Sequence, residues 1–136
     1  MNIDSIENGY VIDHIPAGKG MQIYKILSLE KLSCQIAIIT NAKSKKNDVK
    51  DIIKINELVD LDLDVIAYIA PNATVNVIKN SERIDKKCLS LPKEIKNVIK
   101  CPNPRCISNN EDIDHIFKLT DEKGTYRCLY CETMAL

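Results

Sequence analysis

Apolar positions along this chain fall in short bursts whose spacing alternates between two and three-to-four residues. Gly9-Tyr-Val-Ile-Asp-His-Ile15 is rich in β-branched residues and predicts a strand, closed by Pro16, which has no N–H to continue a ladder. Met21, Ile23, Tyr24, Ile26 and Leu27 recur at steps of three and four, a helical pattern led in by Gly18-Lys-Gly20. Ser33-Cys34 breaks it. Gln35-Ile-Ala-Ile-Ile-Thr40 and Val49-Lys-Asp-Ile-Ile-Lys-Ile55 predict the strands of a hairpin, with a polar loop at 41–47 between them. A second helix is expected over Val65–Ala70, because Asp60, Asp62 and Asp64 suit a helix start and Pro71 a helix end. Ala73–Ile78 reads as a fourth strand and Glu82–Cys88 as a short fifth.

That order is the split β-α-β arrangement. The expected fold is α+β, with a ferredoxin-like antiparallel N-terminal sheet carrying both helices on one face. Ser90-Leu-Pro92 has linker character and sets domain bounds of 1–92 and 93–136. Lys93–Lys100 is expected as a short helix or an extended lead-in. Strands follow at 113–119 and 124–130, turned through Lys123-Gly124. A C-terminal piece of about 40 residues can hardly bury an adequate core, so a metal should substitute for missing apolar contacts.

The cysteines supply that metal. Cys101-Pro-Asn-Pro-Arg-Cys106 and Cys128-Leu-Tyr-Cys131 are two close thiol pairs, and each can present two sulfurs to one side of an ion. Four soft anionic ligands point to structural Zn²⁺ in a small all-β, zinc-ribbon-like domain, with an iron–sulfur centre or two disulfides as the lesser readings. A closed Cys₄ shell leaves no position for substrate, so the ion holds shape. Cys34 and Cys88 stand outside the knuckles, and Cys34 reads as a small buried hydrophobe.

Composition narrows the classes. With one Phe, five Tyr and no Trp, the core must rest on Ile, Leu and Val. Nineteen basic residues balance nineteen acidic ones, twelve of each before Pro92 and seven of each after it. Neither half has the excess positive charge of a nucleic-acid or anionic-membrane binder. No N-terminal run resembles a signal segment and no apolar run approaches a membrane span, so a cytoplasmic protein with reduced thiols is expected. Gly18-Lys-Gly20 lacks the rest of a Walker motif, and the aspartates at 60, 62 and 64 lack the glycine and glutamate of a calcium loop. As strand neighbours, Asp13 and His14 should face opposite sides, which argues against a catalytic pair.

Several stretches together resemble the regulatory chain of aspartate carbamoyltransferase, an enzyme of pyrimidine biosynthesis. They are Val11-Ile-Asp-His-Ile-Pro16, Lys50-Asp-Ile-Ile-Lys-Ile55, Tyr68-Ile-Ala-Pro-Asn-Ala-Thr-Val-Asn76, Ser90-Leu-Pro92, Asn97-Val-Ile-Lys-Cys-Pro-Asn-Pro-Arg-Cys-Ile-Ser108 and Cys128-Leu-Tyr-Cys-Glu132. The resemblance covers nearly the whole length, in order. It implies a non-catalytic subunit that dimerises through its N-terminal domain and docks its zinc domain on catalytic chains, bridging catalytic trimers. It also implies binding of nucleoside triphosphates, CTP as inhibitor and ATP as activator, with UTP assisting.

Carried over residue by residue, the resemblance implies a nucleotide site at Asp13, His14, Lys54, Asn76, Ile78 and Lys86, extended by Ile3, Asp4, Ile6, Val11 and Lys50. It departs from the family at Ser81, where a tyrosine is found, and at Arg83, where an aliphatic residue is common. Both are expected beside the base, which bears on the choice between CTP and ATP. The chain stops at Leu136, so contacts made by a longer tail are expected to be missing. The rival readings are weaker. A zinc-ribbon nucleic-acid-binding protein should show a basic face, a thiol oxidoreductase would use only Cys128-Leu-Tyr-Cys131, and a zinc hydrolase or deaminase needs an open coordination site.

Overall fold

The computed structural model describes residues 6–44 and 48–135. The chain divides into two compact units, Met1–Ser90 and Leu91–Leu136.

The first unit is a five-stranded sheet in the order β2-β3-β1-β4-β5, every neighbouring pair antiparallel. Its strands are β1 (Gly9–Pro16), β2 (Ile36–Lys43), β3 (Val49–Ile55), β4 (Thr74–Lys79) and β5 (Glu82–Cys88). Helix α1 (Gly20–Ile26) follows β1 and helix α2 (Leu63–Ile69) follows β3, and the two helices pack on each other. The core is aliphatic: Ile12, Ile15, Ile53, Ile55 and Val75 from the sheet, Ile23 and Leu29 from the first crossover, Val65, Ile66 and Ile69 from α2. Each fully buried side chain of this size contributes about 1.5–3 kcal/mol. Asp62 is the N-cap of α2, accepting from the N–H groups of Asp64 and Val65 at 3.2 and 3.4 Å. No helix among the described residues is long and apolar enough to cross a membrane.

Two local departures from the expected pattern have one cause. Strand alternation is interrupted by bulges. In β1 the pairing slips between Ile12 and Ile15, with His14 at φ 58°. The strict alternation expected at Asp13 and His14 therefore fails: the His14 N–H turns back on Asp13 Oδ1 at 2.6 Å, and His14 Nδ1 reaches Thr74 Oγ1 at 3.1 Å. In β2 the slip lies between Ile39 and Ala42, with Asn41 at φ 57°, so this strand runs on to Lys43 where a loop was expected from Asn41. Asparagine tolerates that left-handed conformation better than most residues.

The second unit is a three-stranded antiparallel sheet in the order β6-β7-β8: β6 (Glu94–Lys96), β7 (Ile116–Leu119) and β8 (Tyr126–Cys128). The lead-in to the first knuckle is thus extended. A single helical turn, α3 (Ile107–Asn110), follows that knuckle. Ile95, Phe117 and Tyr126 form a small buried core, and the Tyr126 hydroxyl donates to the Pro92 carbonyl at 2.6 Å.

Candidate functional site

Four sulfurs meet at one point of the second unit. The Sγ atoms of Cys101, Cys106, Cys128 and Cys131 all lie within 4.8 Å of one another. Cys101 and Cys131 are 3.4 Å apart, and Cys106 and Cys128 3.6 Å apart, with no disulfide formed. A tetrahedral ion with Zn–S bonds of about 2.3 Å separates its sulfurs by about 3.8 Å, so this donor set fits zinc. The knuckles reach that geometry through their backbones. Cys106 N–H bonds Asn103 O at 3.0 Å, closing the first turn, and Glu132 N–H bonds Cys128 O at 2.9 Å, closing the second. Glu132 takes φ 65° to do so.

Around the sulfurs lies a polar shell. Asn109 Nδ2 donates to the carbonyls of Cys101 and Asn103 at 2.9 and 2.7 Å. Asn110 Nδ2 donates to those of Pro104 and Cys106 at 3.2 and 2.8 Å. Ser108 Oγ lies 3.1 Å from Cys106 Sγ, and Thr133 Oγ1 3.2 Å from Cys131 Sγ. Burial, with the neighbouring thiols, pushes Cys101 up to about 12, while the Thr133 hydroxyl and N–H draw Cys131 down to about 6. Thiolates so close repel one another, and a bound dication would compensate all four.

The first unit presents a second constellation. Directly paired residues share a sheet face, and β pairing sets Ala37, Lys54, Val11, Asn76 and Lys86 in one row across all five strands. Ile12, Ile53 and Val75 belong to the opposite, buried face, so this row lies on the face turned from the core. Two residues along β1, Asp13, Thr74 and Cys88 form the next row, and Lys50 Nζ bonds Asp13 Oδ1 at 2.9 Å. Two residues the other way, Gly9, Ile78 and Arg83 form a third. Burial pushes the Asp13 carboxyl up, yet the Lys50 ammonium and the His14 N–H outweigh it and hold the group below the ordinary carboxylate value.

Asn76 is the most constrained member. Its Nδ2 donates to Val11 O at 3.2 Å, while its buried Oδ1 has no partner among the described residues. Lys54, Lys86 and Arg83 enter no ion pair among the described residues. Ile6 is half-buried ahead of β1, where Glu7 O and Asn8 Oδ1 receive the N–H groups of Ser81 and Asn80 at 2.8 and 3.2 Å. Ile3 and Asp4 lie outside the described residues.

Residues 1–90 match the family described as "Aspartate carbamoyltransferase regulatory chain, allosteric domain", and residues 93–135 its "metal binding domain". The chain belongs to this family. It is 52% identical over 134 residues to the aspartate carbamoyltransferase regulatory chain of Clostridium acetobutylicum, covering 97% of this chain and 92% of that one. Against the regulatory chain of Clostridium botulinum strain Hall it is 49% identical with the same coverage. Against that of Bifidobacterium longum it is 42% identical, covering 99% of both. Membership makes this a regulatory rather than a catalytic subunit, with an allosteric and a metal-binding domain.

Within this regulatory chain, cysteine spacing made the sulfur cluster legible, but not the clasp around it. Asn109 and Asn110 read from sequence as ordinary polar residues. Only the turn at α3 brings their amides back onto the carbonyls of the knuckle. Asp51 likewise belongs to no sequence motif. It is fully buried, and its carboxylate accepts N–H groups from Gly18, Gly20 and Asn41 at 3.0, 2.9 and 3.1 Å. An acid in step with the inward-facing Ile53 and Ile55 is the available signal.

Proposed function

We propose that this chain senses nucleoside triphosphates, with CTP, ATP and UTP as effectors, on the outer face of its N-terminal sheet. We further propose that it pairs with a second copy, and that its C-terminal unit, built on one structural Zn²⁺, docks on the catalytic chain of aspartate carbamoyltransferase and bridges catalytic trimers in the cytoplasm. The domain bounds of 1–92 and 93–136 carry these two roles.

The observation that carries the reading is the outer-face row. Lys54 and Lys86 flank Val11 and Asn76 in register, neither lysine paired with an acid among the described residues. Unpaired ammonium groups suit a triphosphate. Asn76 Oδ1 is a buried acceptor that a ribose hydroxyl satisfies, and such an atom is costly to leave unpaired. Asp13 accepts from ribose hydroxyls or, with a divalent ion, helps hold phosphates, and Lys50 beside it exchanges its carboxylate partner for phosphate. His14, whose Nδ1 meets Thr74 Oγ1, adds an imidazole that hydrogen-bonds a ligand oxygen. Ile6 and Ile78 wall the base. Pairing of two copies is supported by β2, whose outer edge has no strand partner among the described residues. The bound metal supplies rigidity alone, and the residues that hold it are Cys101, Cys106, Cys128 and Cys131.

Nucleotide binding then shifts catalysis only as far as it favours one quaternary state over the other. The test is to mix the chain with its catalytic partner and follow carbamoyl transfer against aspartate concentration, with and without each nucleotide. Assembly with a nucleotide-dependent aspartate response is expected. Failure to assemble, or a response identical to free catalytic trimers, overturns the proposal.

A further inference from the structure

We infer that Arg83 selects the base of the bound nucleotide, favouring bases that offer two neighbouring hydrogen-bond acceptors. The inference rests on the nucleotide reading of the outer face and deepens it. β4–β5 pairing makes Arg83 the direct partner of Ile78, which in turn pairs with Gly9. The three form the row at the end of the face away from the Lys50–Asp13 pair. Charge along the face is therefore graded: Lys50, Asp13 and His14 at one end, Lys54 and Lys86 in the middle row, and an apolar wall with one arginine at the other. A triphosphate lies toward the lysines and a base toward Ile78.

At that end Arg83 is exposed, and its side chain makes no ion pair or hydrogen bond within the described residues. The register slip between Val77 and Ile78 helps to place it. Val77 pairs with Asp85 and Ile78 with Arg83, so Ile84 is the extra residue and Arg83 comes to the outer face. Lysine would supply a point charge there, whereas guanidinium supplies a rigid fork of donors. That fork matches paired acceptors, as it does at guanine O6 and N7. Cytosine presents O2 beside N3 in the same way. Uracil carries a donor at N3, and adenine sets an amino group beside its ring acceptors. The geometry points to cytosine over uracil and guanine over adenine.

The test measures binding of CTP, UTP, GTP, ATP and inorganic tripolyphosphate to the full chain, to Arg83→Val and to Lys54→Ala. CTP should bind about ten-fold tighter than UTP, and Arg83→Val should remove that preference while leaving tripolyphosphate affinity nearly unchanged. Lys54→Ala should weaken all five ligands and keep the CTP-to-UTP ratio. If nucleotides bind, Lys54→Ala weakens them and Arg83→Val leaves the ratio untouched, the selection role is overturned while the nucleotide site stands. Equal weakening of all four nucleotides by Arg83→Val assigns the residue to stacking or bulk charge and overturns the inference too. Absence of binding by any nucleotide overturns both readings together.

Discussion

The Asp51 carboxylate sits where a side chain at Gly20 would have to go. The Gly20 N–H lies 2.9 Å from Asp51 Oδ2, and a Cβ at Gly20 would sit 2.8 Å from that same oxygen. The carboxylate cannot retreat, because Gly18 and Asn41 hold it from two other sides. Gly20→Ala should therefore cost about 1–3 kcal/mol of stability. Asp51→Asn should cost about 3 kcal/mol, since an amide offers one acceptor oxygen to three donors. Urea midpoints of the N-terminal transition check both. Wild-type midpoints in either variant would show that the loop relaxes at little cost.

Removing zinc with a chelator should unfold Leu91–Leu136 and free four thiols to titration, leaving the far-ultraviolet signal of the N-terminal sheet in place. Structural zinc in small domains contributes folding free energy outright. The prediction fails if the four thiols titrate at the same rate with and without chelator.

Asn109→Ala should weaken metal affinity by about 10–100-fold without removing a ligand, since it releases the carbonyls of Cys101 and Asn103 together. Competition against a chromogenic chelator measures it. Asn109→Asp should not rescue, because a carboxylate cannot donate to carbonyls.

Asp13 carries an acid-limb signature. Its folded-state value is depressed, so its ionised form favours folding. That contribution is complete above the unfolded carboxylate value of about 3.9 and is lost as pH falls through the lower folded value. Asp13→Asn should flatten stability against pH below about pH 4 and leave neutral pH behaviour shallow. An unchanged acid limb would mean that Lys50 contributes nothing to the pairing.

Lys86→Ala should weaken triphosphate binding about ten-fold and lower its salt dependence, as loss of one charge-assisted contact does. Calorimetric titrations at two salt concentrations check this. Weakened affinity with an unchanged salt slope would place Lys86 outside the phosphate path.

The strands and helices were legible because their periodicities were clean: Ile12, Ile53 and Val75 alternate with outward residues, and α1 shows steps of three and four. The sulfur cluster was legible because ligand spacing is itself the geometry. The bulges were not. His14, Asn41 and Ile84 each break alternation by one residue, and only the partner strand determines where the extra residue goes. For the same reason Lys54, Val11, Asn76 and Lys86 could be proposed together only through resemblance. Their shared row is a matter of register, which no local pattern of apolar and polar positions encodes. The region from Lys93 to Lys100 stayed ambiguous because three residues of strand are too short to show a period.

The two rims of the N-terminal sheet differ in kind. β5 offers Glu82, Arg83, Asp85, Lys86 and Lys87, side chains that repel a stacking neighbour, while β2 offers Ile36, Ile38 and Ile39. A twofold meeting of like rims through β2 would leave only charged borders outermost. Growth by strand addition would then stop at two chains, since a charged rim disfavours the next one.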